Sequence, residues 1–194
     1  MLLYCYYITP KIGTMIRLLS FIFSAIIALS SCTSANNCPA VTTDPAANKA
    51  QFLGDWYEIG SIPQFFNVGC NCTKATYTDN GTNILVTNSC RLGGATIGVP
   101  NVINGTATVP NPSDFSKLKV KFPTAPVAAD YWIIYFDPNG QNMLVGDPNK
   151  SSLFVLSRSR TMSTATYNSI LARAIPFCYN INKVKKTDQI SCTN

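Results

Sequence analysis

From Trp56 to Arg158 the chain alternates short runs of β-branched and aromatic residues with clusters of Gly, Asn, Asp and Pro, the pattern of strands joined by tight turns. Its clearest stretch is Lys117-Leu118-Lys119-Val120-Lys121-Phe122, where the lysines take one face and Leu118, Val120 and Phe122 the other. A period of two with one wet face predicts an antiparallel strand over a core. Asp79-Asn80-Gly81-Thr82 separates Cys72–Thr78 from Asn83–Asn88, a strong hairpin signal. Asn101–Val109, Tyr131–Phe136, Gln141–Val145 and Leu153–Arg158 follow, the last three joined by Asp137-Pro138-Asn139-Gly140 and Asp147-Pro148-Asn149-Lys150. With the Trp56–Ile59 segment these make eight strands. One helix is predicted after them: Ser163 caps it, Tyr167, Ile170, Leu171 and Ala174 form its apolar stripe, and Pro176 stops it. Ile181–Thr187 is a last, short strand candidate. The expected fold is all-β, an eight-stranded antiparallel up-and-down barrel with the helix packed outside. A barrel of that size encloses side chains or one small ligand, and strand parity turns Val120, Ile133 and Leu156 inward.

The amino-terminal region reads differently. Met15 to Ser31 has the form of an export signal: Arg17, an apolar run from Leu18 to Leu29, then small residues. That run is shorter than the roughly 20 residues a membrane-spanning helix needs, and Met15 stands where such a signal begins. The expected organisation is a signal over 1–31, a flexible tether rich in Ser, Thr, Asn, Pro and Ala over 32–48, and the barrel domain over 49–194. The formal charge of +6 falls to +4 when Lys11 and Arg17 leave with the signal. Basic residues are dispersed, with Lys183, Lys185 and Lys186 forming a cluster that reads as a solvated strand edge, so no nucleic-acid partner is expected.

Chemistry is bounded by two facts. The chain has no histidine, which excludes hydrolysis by Ser/His/Asp or Cys/His arrangements. Glu58 is its single glutamate and belongs to no recognisable acid/base constellation, so no catalytic residue, metal or cofactor is expected. Of eight cysteines, all but Cys5 lie from Cys32 onward, and in an exported chain they read as disulfides. Cys70 and Cys90 lie across the Asn80-Gly81 hairpin, while a register change of one residue sets Cys72 opposite Cys90 instead. A zinc site of Cys70, Cys72, Cys90 and Cys192 is the competing use, disfavoured outside the cell.

Residues 48–63, NKAQFLGDWYEIGSIP, resemble the opening motif of the lipocalins, with Gly54, Trp56 and Tyr57 at the entry to the first strand. Tyr131-Trp132-Ile133-Ile134 with Phe136-Asp137-Pro138 resembles the second motif of that family. Phe154 to Arg158, followed by a capped helix, is similar to the third, in which an arginine packs over the tryptophan of the first. The resemblance spans Ala50 to Asn194 and is nearest to the branch of apolipoprotein D and the bacterial outer-membrane lipocalins, whose tail Thr187 to Cys192 also resembles.

The resemblance implies that Trp56 and Arg158 meet at the closed end of the barrel, a cation over an indole face, and that a guest enters at the other end. It places Tyr77, Asn88, Phe122, Tyr131 and Phe154 around the cavity, with Ile133 and Leu156 inward beside them. Asn88 and the tyrosine hydroxyls are the polar groups available to orient a fatty acid, lysophospholipid or sterol-like molecule. Phe154 stands where those relatives carry tryptophan. A Cys72–Cys192 bridge is implied as well, beside one hairpin bridge, and Cys38 and Cys178 either pair or stay apart. The function expected is binding or carriage of a small hydrophobic ligand, in envelope lipid storage or transport. The alternatives are a filled barrel with a surface partner, or isomerase or de-epoxidase chemistry at Glu58 or Cys178. Leu29-Ser30-Ser31-Cys32 matches a lipobox and makes Cys32 a lipidation candidate, which implies an outer-membrane lipoprotein anchored to the membrane. Four sequons, at Asn71, Asn80, Asn104 and Asn149, with a cut after Ala35, suit free secretion instead.

Overall fold

The computed structural model describes residues 38–192; the segment expected to be an export signal and the lipidation candidate Cys32 lie outside them. A short helix α1 (Lys49–Phe52), capped by Asn48, leads into eight strands: β1 (Gly54–Ser61), β2 (Cys70–Asp79), β3 (Ile84–Leu92), β4 (Val99–Thr108), β5 (Lys117–Lys121), β6 (Ala129–Phe136), β7 (Asn142–Gly146) and β8 (Leu153–Ser157). Each pairs antiparallel with the next, β8 pairs with β1 and β1 with β2, so the sheet closes on itself. Helix α2 (Thr164–Ala172) follows, and a two-residue β9 (Lys185–Lys186) lies on β1 outside the ring. The expected eight-stranded barrel with an outer helix is therefore present.

Local chemistry fixes the turns. Gly81 at φ +88° supplies the left-handed backbone of the β2–β3 hairpin, and Asn80 Oδ1 accepts from the amides of Thr82 and Asn83. Apolar side chains then sort into two layers. Trp56, Val86, Leu118, Ile133, Phe136, Met143 and Val145 fill the ring from inside. Ile59, Ile134, Leu144, Leu153 and Val155 point out of it and are covered by Tyr167, Ile170 and Leu171 of α2, with Ala174 and Tyr179 just beyond. Strands β6 to β8 and β1 are thus apolar on both faces, which is why Tyr131–Phe136 shows no alternation. Strand β5 has water on its outer face and alternates.

Three expectations need correction. The tether does not hold over 38–48: Val41 and Ala47 are buried, Asp44 N donates to the Ile133 carbonyl at 2.9 Å, and Phe136 N donates to the Asp44 carboxylate at 2.9 Å. Composition hid this, because the segment is held by scattered anchors without a periodic pattern: one backbone bond and the Asp44 carboxylate to β6, two buried apolar side chains and a disulfide. Second, Ile181–Thr187 is a 3₁₀ turn (Ile181–Lys183) with only two strand residues after it. Third, α2 ends at Ala172, and Pro176 sits inside a following 3₁₀ turn whose junction buries Ala174 completely.

Six cysteines form three bridges, Cys38–Cys178, Cys70–Cys90 and Cys72–Cys192, which leaves no thiolates for the zinc site considered above. The register question resolves in favour of Cys70 opposite the β3 end, because β2 bulges between Asn71 and Lys74 with Cys72 in a left-handed conformation (φ 57°). Cys72 is thereby turned toward the carboxy-terminal tail. That tail closes a seam: β1 pairs with β2 only over Gly54–Tyr57. Beyond it Thr187 N donates to the Ile59 carbonyl, Cys72 N to the Asp188 carbonyl, and the buried Gln189 amide to the carbonyls of Glu58 (3.0 Å) and Thr73 (2.7 Å).

Candidate functional site: a lumen above an aromatic floor

At one end of the barrel Trp56 is completely buried and donates its Nε1–H to the Phe52 carbonyl at 2.7 Å. The Arg158 guanidinium lies 3.8 Å over its ring and fans its donors to the carbonyls of Gln51, Leu53, Asp55 and Gly140. Gly54, at φ +94°, brings the chain within reach of Arg158. Tyr57 faces outward under Arg160, and Asp137 holds the β6–β7 turn through the Asn139 amide. These motif residues form the closed end.

Above them sits a floor of aromatic rings. Phe52 packs 4.2 Å from Tyr77 and 5.4 Å from Phe115, centroid to centroid. The Tyr77 and Tyr131 hydroxyls hydrogen-bond to each other at 2.8 Å. Because β2 and β6 lie four strands apart in the ring, this pair spans the barrel from wall to wall. Burial pushes the Tyr77 phenol up to about 12 and holds the Tyr131 phenol well above the ordinary tyrosine value, the nearby Tyr77 adding to the effect, so both are neutral near pH 7.

Toward the other end the interior loosens. Ile133, Met143, Leu118 and Trp56 are fully enclosed and Leu156 nearly so, whereas Asn88, Ile103, Phe122, Tyr131 and Phe154 face inward yet are only half-buried. A small residue makes room there: a Cβ on inward-facing Gly105 would stand 2.6 Å from the Phe122 ring, so Phe122 lies across that glycine. The expected lining residues thus divide. Asn88, Phe122 and Phe154 face inward and are half-buried, Tyr77 and Tyr131 meet across the ring below them, and Ile133 and Leu156 belong to the packed core.

Polar groups punctuate this lumen on one wall. Asn88 Oδ1 and Thr73 Oγ1 are buried without a hydrogen-bond partner. Asn88 shares a face with Val86 and Ile84, and Thr73 with Ala75 and Tyr77. Glu58, paired with inward-facing Leu156, accepts from Ser61 Oγ and Thr187 Oγ1, and burial holds its carboxyl above the ordinary carboxylate range. Every lysine of β5 faces outward and Arg158 is committed to the closed end; Arg91 on β3 donates through Nη2 to the Thr96 carbonyl at 3.4 Å, its Nε being buried without a partner.

Residues 103, 105, 73 and 52 were not singled out from the sequence. Parity along β4 would have given Ile103 and Gly105, and parity back from Tyr77 through Ala75 would have given Thr73; Phe52 precedes the strands. Two surface clefts lie elsewhere. One, about 740 Å³, is at the closed end among Pro45, Ala47, Asn83, Ile84, Val109 and Phe115, and a smaller one of about 350 Å³ lies beside Gly105 and Lys121; none of the expected lining residues borders either.

A family profile for the lipocalin-like domain matches residues 48–189. Temperature-induced lipocalin-1 of Arabidopsis thaliana is 40% identical over 152 residues, covering 73% of this chain and 79% of its own. Apolipoprotein D of Oryctolagus cuniculus is 33% identical over 169 residues, covering 80% and 84%. Among solved structures, insecticyanin of Manduca sexta superposes with a TM-score of 0.61 at 21% identity, covering 78% of this chain and 85% of that one. Motifs, closed barrel and relatives agree: the chain belongs to the lipocalin family.

Proposed function

We propose that the protein carries one small hydrophobic molecule in the lumen above the Tyr77–Tyr131 floor, and that it binds rather than transforms its guest. The observation that carries this reading is the graded burial of inward-facing residues: sealed in the lower barrel, half-buried at Asn88, Ile103, Phe122 and Phe154. Inward aromatic surface left uncovered gains about 0.8 kcal/mol per guest methylene it removes from water. Binding fits better than catalysis because Glu58, the one carboxyl of the lumen, is tied up by two hydroxyls, and Cys178 is held in a disulfide.

Around the mouth, the loops 62–69, 93–98 and 122–128 contain no acidic residue and present Phe65, Ile97 and Val127 at 92%, 88% and 71% exposure. Lys185 and Lys186 are exposed beside them on the strand paired with Gly60 and Ser61. This supports exchange of the guest at a lipid surface.

We further propose export, which three disulfides favour. Lipidation at Cys32 would anchor the barrel at an outer membrane in a lipid storage or transport role. The secreted alternative draws support from Asn80, Asn104 and Asn149, which are exposed sequons. Intact mass of the mature protein separates the two, diacylglyceryl-cysteine on the one hand and glycan on the other. For the guest itself, native purification followed by mass spectrometry of extracted small molecules, with a fluorescent fatty acid titrated alongside, is the test. Finding neither a guest nor saturable uptake would favour a filled barrel with a surface partner.

A further inference from the structure

Given the lumen reading above, on which this step rests, we infer that the barrel docks mouth-first on an anionic lipid surface: Phe65 and Phe66 of the β1–β2 loop enter the acyl boundary, and Lys183 and Lys185 meet the headgroups around them.

The two ends of the barrel differ in what they show to water. Phe65, Phe66 and Val68 in the β1–β2 loop, Ile97 and Val99 at the β3–β4 loop and Val127 in the β5–β6 loop are six of the ten exposed large apolar side chains among the described residues. The closed-end loops 80–83, 109–116 and 137–141 contribute none. The rings are held out by the loop itself. The Gln64 side chain donates to the carbonyls of Ile62 (3.1 Å) and Ser151 (3.0 Å), and Asn67 Oδ1 accepts from the Gln64 amide at 2.7 Å, which pins the loop to the rim. Between these two residues Phe65 and Phe66 meet edge to face at 5.3 Å, outside both apolar layers of the barrel. Apolar surface gathered in this way marks a binding face.

Charge decides what this face binds. Asp55, Asp79, Asp114 and Asp137 lie at the closed end, the first three paired there with Lys74, Lys49 and Lys117. Toward the mouth, Asp130 is paired with Lys119 at 2.8 Å, Asp147 is buried and accepts from Ser151 and Ser152, and Asp188 turns Oδ1 to the amides of Ile190 and Ser191. Lys183 and Lys185, by contrast, are exposed where β9 meets the mouth end of β1, and neither makes an ion pair among the described residues. Apolar rings beside unpaired lysines, with carboxylates withdrawn to the far end, complement a leaflet of negatively charged lipids. Each basic residue near such a surface strengthens binding several-fold, and the rings gain by leaving water for the acyl boundary. A protein partner would call for one continuous face, whereas these side chains stand on three separate loops around an opening. From a docked mouth, a guest passes between acyl chains and lumen without crossing water.

The test uses the full chain with Cys32→Ser, which removes the lipidation candidate, and sedimentation with vesicles of phosphatidylcholine alone or mixed three to one with phosphatidylglycerol. Binding to the mixed vesicles is expected to be about tenfold tighter, and the gain should vanish in molar salt, where the screening length falls to about 3 Å. Phe65→Ser combined with Phe66→Ser should weaken binding to mixed vesicles about tenfold or more. The same variant should bind the neutral fluorophore N-phenyl-1-naphthylamine in solution within about twofold of wild type, since both rings lie outside the lumen. Lys183→Gln with Lys185→Gln should cut the preference for mixed vesicles several-fold. Orientation is read separately: Phe65→Trp should add emission that brominated acyl chains quench, and Ser113→Trp, at the closed end, should not. Absence of wild-type binding to mixed vesicles, undiminished binding by the double phenylalanine variant, or quenching of Ser113→Trp alone would each overturn the inference. Failure of the lumen reading looks different: the fluorophore would not bind saturably in solution, with no vesicles present.

Discussion

Replacing Arg158 tests how the closed end is held. Its guanidinium donates to the part-buried Leu53 carbonyl at 2.7 Å and more weakly to Gly140 at 3.4 Å, while the Asp55 and Gln51 carbonyls it also reaches are exposed. Leaving the Leu53 carbonyl without its charged donor costs about 1–3 kcal/mol, the two exposed carbonyls turn to water at little cost, and the cation over Trp56 contributes about 0.5–2 kcal/mol. Arg158→Met should therefore destabilise the barrel by about 3 kcal/mol, a fall of roughly 1–2 M in the urea midpoint for a protein of this size. Tryptophan emission is a suitable readout because the chain has two tryptophans, one of them directly beneath the mutated group. Arg158→Lys keeps a positive charge near the ring but replaces a planar fork by one ammonium, so it should recover less than half of the loss. Unfolding free energies within about 0.5 kcal/mol of wild type for both variants would refute the reading of Arg158 as the clasp of that end.

Other expected outcomes follow from the same geometry. Ile103→Trp, which places a large ring in the half-buried part of the lumen, should abolish probe uptake while leaving the urea midpoint within about 1 kcal/mol of wild type, as read by titration and denaturation of one sample. Glu58 has a folded pKa above its unfolded one, so the native state keeps a proton that the unfolded chain releases; stability is full below the unfolded value and declines as pH rises through the raised one. Glu58→Gln should remove that decline and be the more stable form near neutrality, and a urea-midpoint series from acid to pH 8 with unchanged slope would contradict this. Cys192→Ser opens a closed span of 120 residues and should cost up to about 4–5 kcal/mol on chain-entropy reckoning. Amide exchange should then rise first at Thr187 and Cys72, where the tail spans the seam.

How far the sequence disclosed all this differs by element. Strand β5 announced itself because one of its faces meets water, and the Asn80-Gly81 turn because only a few residues tolerate that backbone. Trp56 and Arg158 were legible through the family motifs, and their contact is as expected. The segment 38–48 was not, because its order comes from one backbone bond and the Asp44 carboxylate to β6 and from the Cys38–Cys178 bridge rather than from any periodic pattern. Tyr77 and Tyr131 were expected inward but not joined: nothing in two separate strands states that they lie opposite each other, since that depends on the number of strands in the ring.

The most direct test of the central claim is residue-resolved: amide chemical shifts of the isotope-labelled protein during titration with hexadecanol. If the guest occupies the lumen above the tyrosine pair, saturable shifts concentrate at Asn88, Ile103, Gly105, Phe122 and Phe154. Shifts confined to Pro45-flanking residues, Asn83, Val109 and Phe115 at the closed-end cleft, with the lumen wall unmoved, would contradict it.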